Sequence, residues 1–315
     1  MWPSTPMHWV VQFALVWLVC LSTLAVAEPL SVDTVVKSIG LNGKIDLEGS
    51  TSTLQKRDNG TFLLRVMPLG ASITMGYQST DHNGYRKALR QQLRHAGWQV
   101  DMIGSLRNGT MHNNQHEGHY GNRIDQVETK IQATILQKPN LILINTNLTT
   151  PKASGTNDAD QNYQITTAGL RMNTLLTTLY TAIPTTTIIL STLLPNKKHP
   201  DQVHQISSQY RELVELRRQQ GYRIVLADMS TFIKMSQLVD GTHPGDYGYT
   251  EMAAVWWAAF LDAEAEGFLD FADGTGADGR ISASEEAELD GGDSIGDPGL
   301  PTIYGAGAAG GYGCE

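Results

Sequence analysis

The chain has 315 residues, and 41% of them are hydrophobic, which is enough to bury the core of one large domain or two small ones. Its formal net charge is −9, and its 23 Lys and Arg residues are scattered rather than gathered in blocks. This distribution argues against nucleic acid as a partner, because binding along a phosphate backbone needs clustered positive charge.

Residues 1–27 are predicted to be a signal peptide. Trp9 to Ala27 is almost wholly apolar and ends in Ala-Val-Ala before Glu28, which is typical of a cleaved secretory signal. Residues 1–8 carry no Lys or Arg, so an uncleaved membrane anchor is the alternative. We expect a secreted, extracellular monomer that has no stable association with a membrane once the signal is removed.

Residues 28–61 are interpreted as a leader or linker, and residues 62–266 as the folded domain. From Phe62 onward, short β-rich apolar runs alternate with segments of helical period. The predicted strands are Phe62–Leu69, Trp98–Ile103, Asn140–Asn145, Thr186–Leu194 and Arg223–Met229. The predicted helices are Tyr85–His95, Ile124–Gln137, Gln164–Tyr180, Val203–Gln219 and Tyr247–Glu266.

Five strand-helix units predict an α/β protein with a central five-stranded parallel sheet covered on both faces. In such sheets the functional residues lie at the carboxyl ends of the strands. Residues 267–315 are rich in Gly, Ala and Asp, lack apolar periodicity and are expected to form a flexible tail. Residues 278–285 resemble half of a calcium loop, but glycines stand at its first two ligand positions.

A serine and a histidine stand at two of these predicted strand ends. Ser72 lies in MPLGASITMG, directly after the first strand, where a glycine-bounded turn presents a hydroxyl beside backbone N–H groups. His243 lies in DGTHP, after the last strand, three residues beyond Asp240, and this spacing lets the carboxylate orient the imidazole. The alternatives are a helix cap for the serine and a structural turn for the histidine.

Two further motifs follow other predicted strands. Asn157, in GTND at residues 155–158, carries an amide able to donate to a developing oxyanion. Gly121, in HEGHYGNRI at residues 116–124, can offer its backbone N–H without steric obstruction. Because both loops are rich in turn-forming residues, a purely structural role is the alternative for each.

Taken together, the four motifs resemble those of the SGNH (GDSL-like) hydrolases, and more narrowly those of fungal esterases near carbohydrate esterase family three, which includes acetylxylan esterases. The similarity covers about residues 62–266. It implies a three-layer α/β/α sandwich and a secreted esterase that removes short acyl groups, chiefly acetyl, from plant polysaccharide or small esters. It implies Ser72 as nucleophile, His243 with Asp240 as base and orienting residue, and Ser72, Gly121 and Asn157 as oxyanion donors.

Two departures from the family pattern bear on activity. Ala71 stands where the family motif has aspartate, and residues 146–154 are inserted between the strand and GTND. A competing alignment places Asn147 in the oxyanion hole, but Asn157 is preferred because GTND matches four consecutive family residues. The departures motivate the alternative of a catalytically impaired domain that binds carbohydrate or cell wall.

The mechanism implied by the resemblance needs no cofactor and no metal. His112, His116 and His119 with Glu117 have a spacing at which metal ligands often cluster. Because these residues coincide with the loop that carries Gly121, we expect them to line the substrate site or to shape the loop rather than bind a metal.

Overall fold

A mainly parallel β-sheet forms the centre of the protein. The computed structural model describes residues 62–146, 165–272, 275 and 279–293. Within them the sheet has seven strands: β1 (Leu63–Gly70), β2 (Gln99–Met102), β3 (Leu106–Arg107), β4 (Gln115–Gly118), β5 (Leu141–Asn145), β6 (Thr187–Ser191) and β7 (Ile224–Ala227).

Strand β1 is the centre of this sheet. On one side it pairs in parallel first with β2 and then, at Leu69 and Gly70, with β4; on the other side it pairs with β5, which is followed by β6 and β7. The parallel order β2-β1-β5-β6-β7 is a doubly wound order in which the chain reverses direction across the sheet at β1. The predicted five-stranded parallel core is confirmed, and the antiparallel pair β3 and β4 is an addition to it.

Helices cover both faces of the sheet, as predicted. They are α1 (Ser72–Met75), α2 (Tyr85–His95), α3 (Ile124–Lys130), α4 (Gln132–Ile135), α5 (Ala168–Ala182), α6 (Pro200–Gln219), α7 (Met229–Phe232), α8 (Asp246–Ala265) and α9 (Ala283–Asp290). None of the described helices is both long enough and apolar enough to cross a membrane.

The core consists of two apolar layers, one on each face of the sheet. Successive side chains of a strand point to opposite faces. In β5, Leu141 and Leu143 therefore pack with α2 and α8, whereas Ile142 and Ile144 pack with α3, α5 and α6. All four are buried, which explains why this strand is a continuous apolar run rather than an alternating one.

Helix α2 has charged residues within its buried stripe. Arg86, Leu89, Arg90 and Leu93 follow the spacing of one helix face, and all four are buried. A buried guanidinium is stable only with hydrogen-bond acceptors around it. Arg86 donates to the carbonyl oxygens of Met75, at the end of α1, and of three loop residues, His82, Asn108 and Asn114.

Helix α9 provides the partners of the second arginine. Its first turn has a capping box, in which the Ser282 hydroxyl accepts from the Glu285 backbone N–H and the Glu285 carboxylate accepts from the Ser282 backbone N–H. Its last residue, Asp290, accepts from Arg90 at 2.6 Å and also pairs with Arg94. This docked helix lies within residues 267–315, the segment that the sequence favours as a flexible tail.

We predict that Asp290→Asn lowers the free energy of unfolding by about 1–3 kcal/mol, because it leaves a buried guanidinium without its nearest anion. Urea unfolding at neutral pH measures this change. Glu266→Gln is the matched control, since Glu266 is exposed and its partner Arg218 is only half-buried, and loss of this pair is expected to cost less than about 0.5 kcal/mol. Equal stability of Asp290→Asn and the wild type would show that α9 docks without the help of this pair.

Candidate active site

The serine lies directly after the central strand, in a turn that requires glycine before it. A Cβ atom at Gly70, the last residue of β1, would lie 1.9 Å from the carbonyl oxygen of Asn145 in β5. Only glycine permits this close approach. Ser72 follows as the first residue of α1 and is fully buried. It lies just beyond the carboxyl end of β1, the position at which a doubly wound sheet has its crevice.

The histidine and the aspartate meet this serine from a turn after β7. The Ser72 Oγ atom lies 3.1 Å from His243 Nε2, and His243 Nδ1 lies 2.7 Å from Asp240 Oδ2. Asp240 Oδ1 also accepts from the backbone N–H of His243 at 2.7 Å. The His243 side chain is 2% exposed, whereas that of Asp240 is 40% exposed. The structure thus brings together the three residues that the sequence nominates.

The hydrogen bonds determine where the protons are. Burial alone raises the pKa of Asp240, but hydrogen bonds from the backbone and ring of His243 and from the backbone of Thr242 outweigh it, so the pKa lies below its ordinary value. Asp240 is therefore an anion at neutral pH, and a carboxylate anion only accepts hydrogen bonds. The proton of a neutral His243 ring consequently resides on Nδ1, and Nε2 accepts the hydrogen bond of the Ser72 hydroxyl and, in a reaction, its proton.

The loop after β6 supports the turn that carries Asp240 and His243. The backbone N–H of Lys197 donates to the carbonyl oxygen of Gly241 at 2.8 Å, and the amide of buried Asn196 donates to the hydroxyl of Thr242 at 3.2 Å. These contacts position the two middle residues of the turn. Asn196 is not among the residues predicted from the sequence, because an asparagine after Pro195 is also typical of an ordinary surface turn.

Three side chains missed by the sequence analysis hold the serine turn. Arg86 and Asn108 both donate to the carbonyl oxygen of Met75, at 3.0 and 2.9 Å, and the hydroxyl of Tyr249 donates to the carbonyl oxygen of Tyr77 at 2.6 Å. The position of Arg86 on the apolar stripe of α2 was the signal available in the sequence, because an arginine there needs buried acceptors.

Of the two other residues predicted to donate to the oxyanion, Gly121 lies within the described residues and Asn157 does not. Gly121 is buried in the turn after β4 and has a φ of 76°, a conformation that favours glycine. Its neighbour Tyr120 packs against Tyr77 with ring centroids 5.3 Å apart, and Tyr77 packs against His243 at 4.7 Å. The ring of Tyr77 thus lies between this turn and the histidine. Asn157 and the competing Asn147 lie outside the described residues.

The histidines and glutamate near residue 117 shape the same loop. Glu117 is fully buried and accepts from the backbone N–H of Ser105 and the hydroxyl of Thr134, and its second oxygen lies 2.7 Å from His119 Nε2. Burial lowers the pKa of His116 to about 3, so this ring is neutral. Among the described residues, no group of three His, Cys, Asp or Glu side chains is arranged to hold a metal ion.

Most of the folded region matches a known protein family. Residues 66–256 match the family model described as GDSL-like Lipase/Acylhydrolase. The match includes the serine turn, the loop after β4 and the turn of Asp240 and His243. No protein of curated function matches the chain.

Solved structures with the same fold include carbohydrate esterases. A family 3 carbohydrate esterase of Clostridium thermocellum is 23% identical, with a TM-score of 0.56 over 65% of this chain and 98% of that one. A family 3 carbohydrate esterase of Talaromyces cellulolyticus is 20% identical, with a TM-score of 0.53 over 64% and 99%. A mutant acetyl esterase with an acetate ion is 20% identical, with a TM-score of 0.54 over 65% and 99%. At these identities the likeness shows the fold.

The buried carboxylate of Glu117 leads to a prediction about pH. Burial alone raises the pKa of Glu117, but hydrogen bonds from His119, Thr134 and Ser105 outweigh it and place the pKa below 4.5. A carboxyl with a lowered folded pKa stabilises the protein above its unfolded pKa, and this stabilisation is lost as the pH falls through the folded value. We predict that Glu117→Gln makes the urea midpoint less dependent on pH below about 5.

The measurement is a series of urea titrations from pH 3 to pH 7, as far as the native state persists. Glu215→Gln is the matched control, because Glu215 is exposed on α6 and contacts Gln219 of the same helix. An acid slope of Glu117→Gln identical to that of the wild type would contradict the prediction.

Proposed function

Because the chain belongs to the GDSL-like lipase/acylhydrolase family, we propose that it is a secreted serine esterase that hydrolyses short-chain acyl esters, chiefly acetyl esters, through Ser72, His243 and Asp240. Family membership supports an esterase in general terms. The observation that carries the finer proposal is the pair of contacts on His243, 3.1 Å to the serine hydroxyl and 2.7 Å to the carboxylate, at the crevice of the sheet.

The proposed reaction is acyl transfer in two steps. In the first, Ser72 Oγ attacks the carbonyl carbon of the ester while His243 Nε2 takes the hydroxyl proton, and the alcohol leaves with that proton, giving an acyl-serine. In the second, water attacks the acyl-serine, His243 again accepts and returns a proton, and the carboxylic acid is released. Asp240 stabilises the imidazolium that forms in each step.

The negative charge that develops on the carbonyl oxygen needs hydrogen-bond donors. The backbone N–H of Ser72, at the start of α1, and that of Gly121 are the two proposed donors within the described residues, and the resemblance assigns the third to the amide of Asn157. Each such donor is typically worth on the order of 10²-fold or more in rate, so all three are part of the proposed machinery.

Acylated carbohydrate is the proposed substrate class. The four sequence motifs resemble those of carbohydrate esterase family three, and the similar structures include two family 3 carbohydrate esterases and an acetyl esterase. The proposal places the enzyme outside the cell, because residues 1–27 have the pattern of a cleaved signal peptide; these residues lie outside the described ones. An extracellular enzyme would have access to the acetyl groups of plant polysaccharide.

We predict that Ser72→Ala lowers turnover of p-nitrophenyl acetate by at least about 10³-fold, because the nucleophile is absent. It should also abolish labelling by a fluorophosphonate probe, whose adduct on the wild type is expected on the peptide that contains Ser72. Ser236→Ala, at an exposed serine, is the control and should behave as the wild type. A thermal midpoint equal to that of the wild type shows that Ser72→Ala remains folded.

Retention of wild-type turnover by folded Ser72→Ala would remove this serine from the mechanism. Tight polysaccharide binding by a wild type that neither hydrolyses esters nor reacts with the probe would instead support the alternative, an impaired domain that binds carbohydrate or cell wall.

A second experiment tests which acyl group and which alcohol part of the ester the enzyme prefers. We predict a higher kcat/KM for p-nitrophenyl acetate than for p-nitrophenyl octanoate, together with release of acetate from acetylated xylan. The two p-nitrophenyl esters share a leaving group, so their ratio reports acyl-chain length alone. Preference for octanoate with no release of acetate from xylan would indicate an esterase for short-chain lipid esters.

A further inference from the structure

An exposed tyrosine is linked to the proposed base, His243, through a single intervening aromatic ring. The Tyr120 side chain is 38% exposed, although it is large and aromatic, and it belongs to the turn that also carries Gly121. Its ring meets the half-buried ring of Tyr77, which in turn meets the His243 ring edge to face. Tyr120 is the outermost of three rings in contact that begin at the proposed base.

Tyr77, which carries the middle ring of this series, is held through its backbone. The backbone N–H of Tyr77 donates to the carbonyl oxygen of Ser72 at 3.0 Å, and its own carbonyl oxygen accepts from the hydroxyl of Tyr249 at 2.6 Å. Tyr77 therefore moves with the serine turn. Because Tyr120 packs on Tyr77, this contact restricts its ring relative to the serine turn, and a restricted ring loses less freedom when a ligand binds.

The surroundings of Tyr120 are polar. Burial raises the pKa of the Tyr120 hydroxyl, the neighbouring Tyr77 adds to this rise, and the half-exposed carboxylate of Asp240 makes a smaller contribution in the same direction. The hydroxyl is thus neutral at the pH of an esterase assay. One exposed ring beside polar groups suits a ligand that has an apolar face and hydroxyl groups at its rim.

We infer that Tyr120 is a specificity-determining residue that stacks on a pyranose ring of the substrate's alcohol part and so favours sugar esters over simple alkyl esters. One face of a pyranose presents C–H bonds, whose positive hydrogens are attracted to the negative face of an aromatic ring. A simple alkyl alcohol lacks this face. The inference rests on the proposed function, since it names the part of the substrate that the same site recognises.

The test measures acetate release from an acetylated xylo-oligosaccharide and from ethyl acetate. The kcat/KM value for the oligosaccharide is divided by the kcat/KM value for ethyl acetate. Ethyl acetate is chosen over p-nitrophenyl acetate because a nitrophenyl ring would itself stack on the tyrosine. Tyr120→Ala is expected to lower the ratio roughly tenfold, and Tyr120→Phe and Tyr120→Trp to keep it close to the wild-type value, because they retain a ring.

The ratio distinguishes a loss of sugar recognition by Tyr120 from damage to the turn that carries Gly121. A disturbed Gly121 would slow both substrates together and leave the ratio unchanged. Tyr247→Ala is the matched control, since Tyr247 is 67% exposed and contacts Glu251 on its own helix, and it should leave the ratio as in the wild type. An unchanged ratio in Tyr120→Ala would overturn the inference, as would an equal fall in Tyr120→Phe, which would assign recognition to the hydroxyl.

A binding measurement tests the contribution of the Tyr120 ring to sugar recognition independently of catalysis. In the Ser72→Ala background, titration calorimetry with the acetylated xylo-oligosaccharide should show a Kd roughly tenfold higher when Tyr120→Ala is added. A wild type that hydrolyses neither ester and resists the fluorophosphonate probe would overturn the proposed function alone. Equal Kd values with and without the tyrosine ring would overturn the inference alone.

Discussion

The approach of β1 to β5 at Gly70 fixes the geometry on which the site depends. The backbone there lies so close to the carbonyl oxygen of Asn145 that any side chain would force the two strands apart. Ser72 follows two residues later, so its place is set by the packing of the sheet and not by a flexible loop. Parallel strands end at one edge, and the turn after β7 can therefore bring His243 to within 3.1 Å of Ser72 across 171 positions of sequence.

Helix α2 links this site to the carboxyl-terminal part of the chain through two buried arginines. Arg86 supplies donors to the carbonyl oxygens of the serine turn and of two neighbouring loops, while Arg90, one turn further on, pairs with Asp290 of α9. A buried guanidinium strongly disfavours any arrangement in which its acceptors are missing. The helix thus couples the position of the loops at one end of the sheet to the docking of α9, and a disturbance at either arginine has consequences beyond its own contacts.

Local patterns predicted the regular elements well, because apolar periodicity is a local property of the sequence. Every predicted strand is present, and helix α2 begins and ends where its pattern does. The antiparallel pair β3 and β4 was missed because Leu106–Arg107 is exposed and too short to alternate. Helix α9 was missed as a docked element because charges hold it rather than an apolar stripe; its capping box, Ser282 and Glu285, was the local signal. Such long-range ion pairs leave no trace in the spacing of apolar residues.

The candidate site, like the fold, has one part that the sequence predicts and another that only the tertiary structure shows. The identities of Ser72, Asp240 and His243 follow from motifs, since each motif is local, whereas the contacts that hold them depend on tertiary structure. Tyr77 illustrates the difference. Nothing in its sequence neighbourhood marks it, and only the fold places its ring against His243. Ala71 is the converse case, because in the sequence it is a departure from the family motif that bears on activity, but with alanine fully buried there Ser72 still meets His243. Contacts at Met75 and Tyr77 hold the turn instead, so the alanine is a weak argument for an impaired domain.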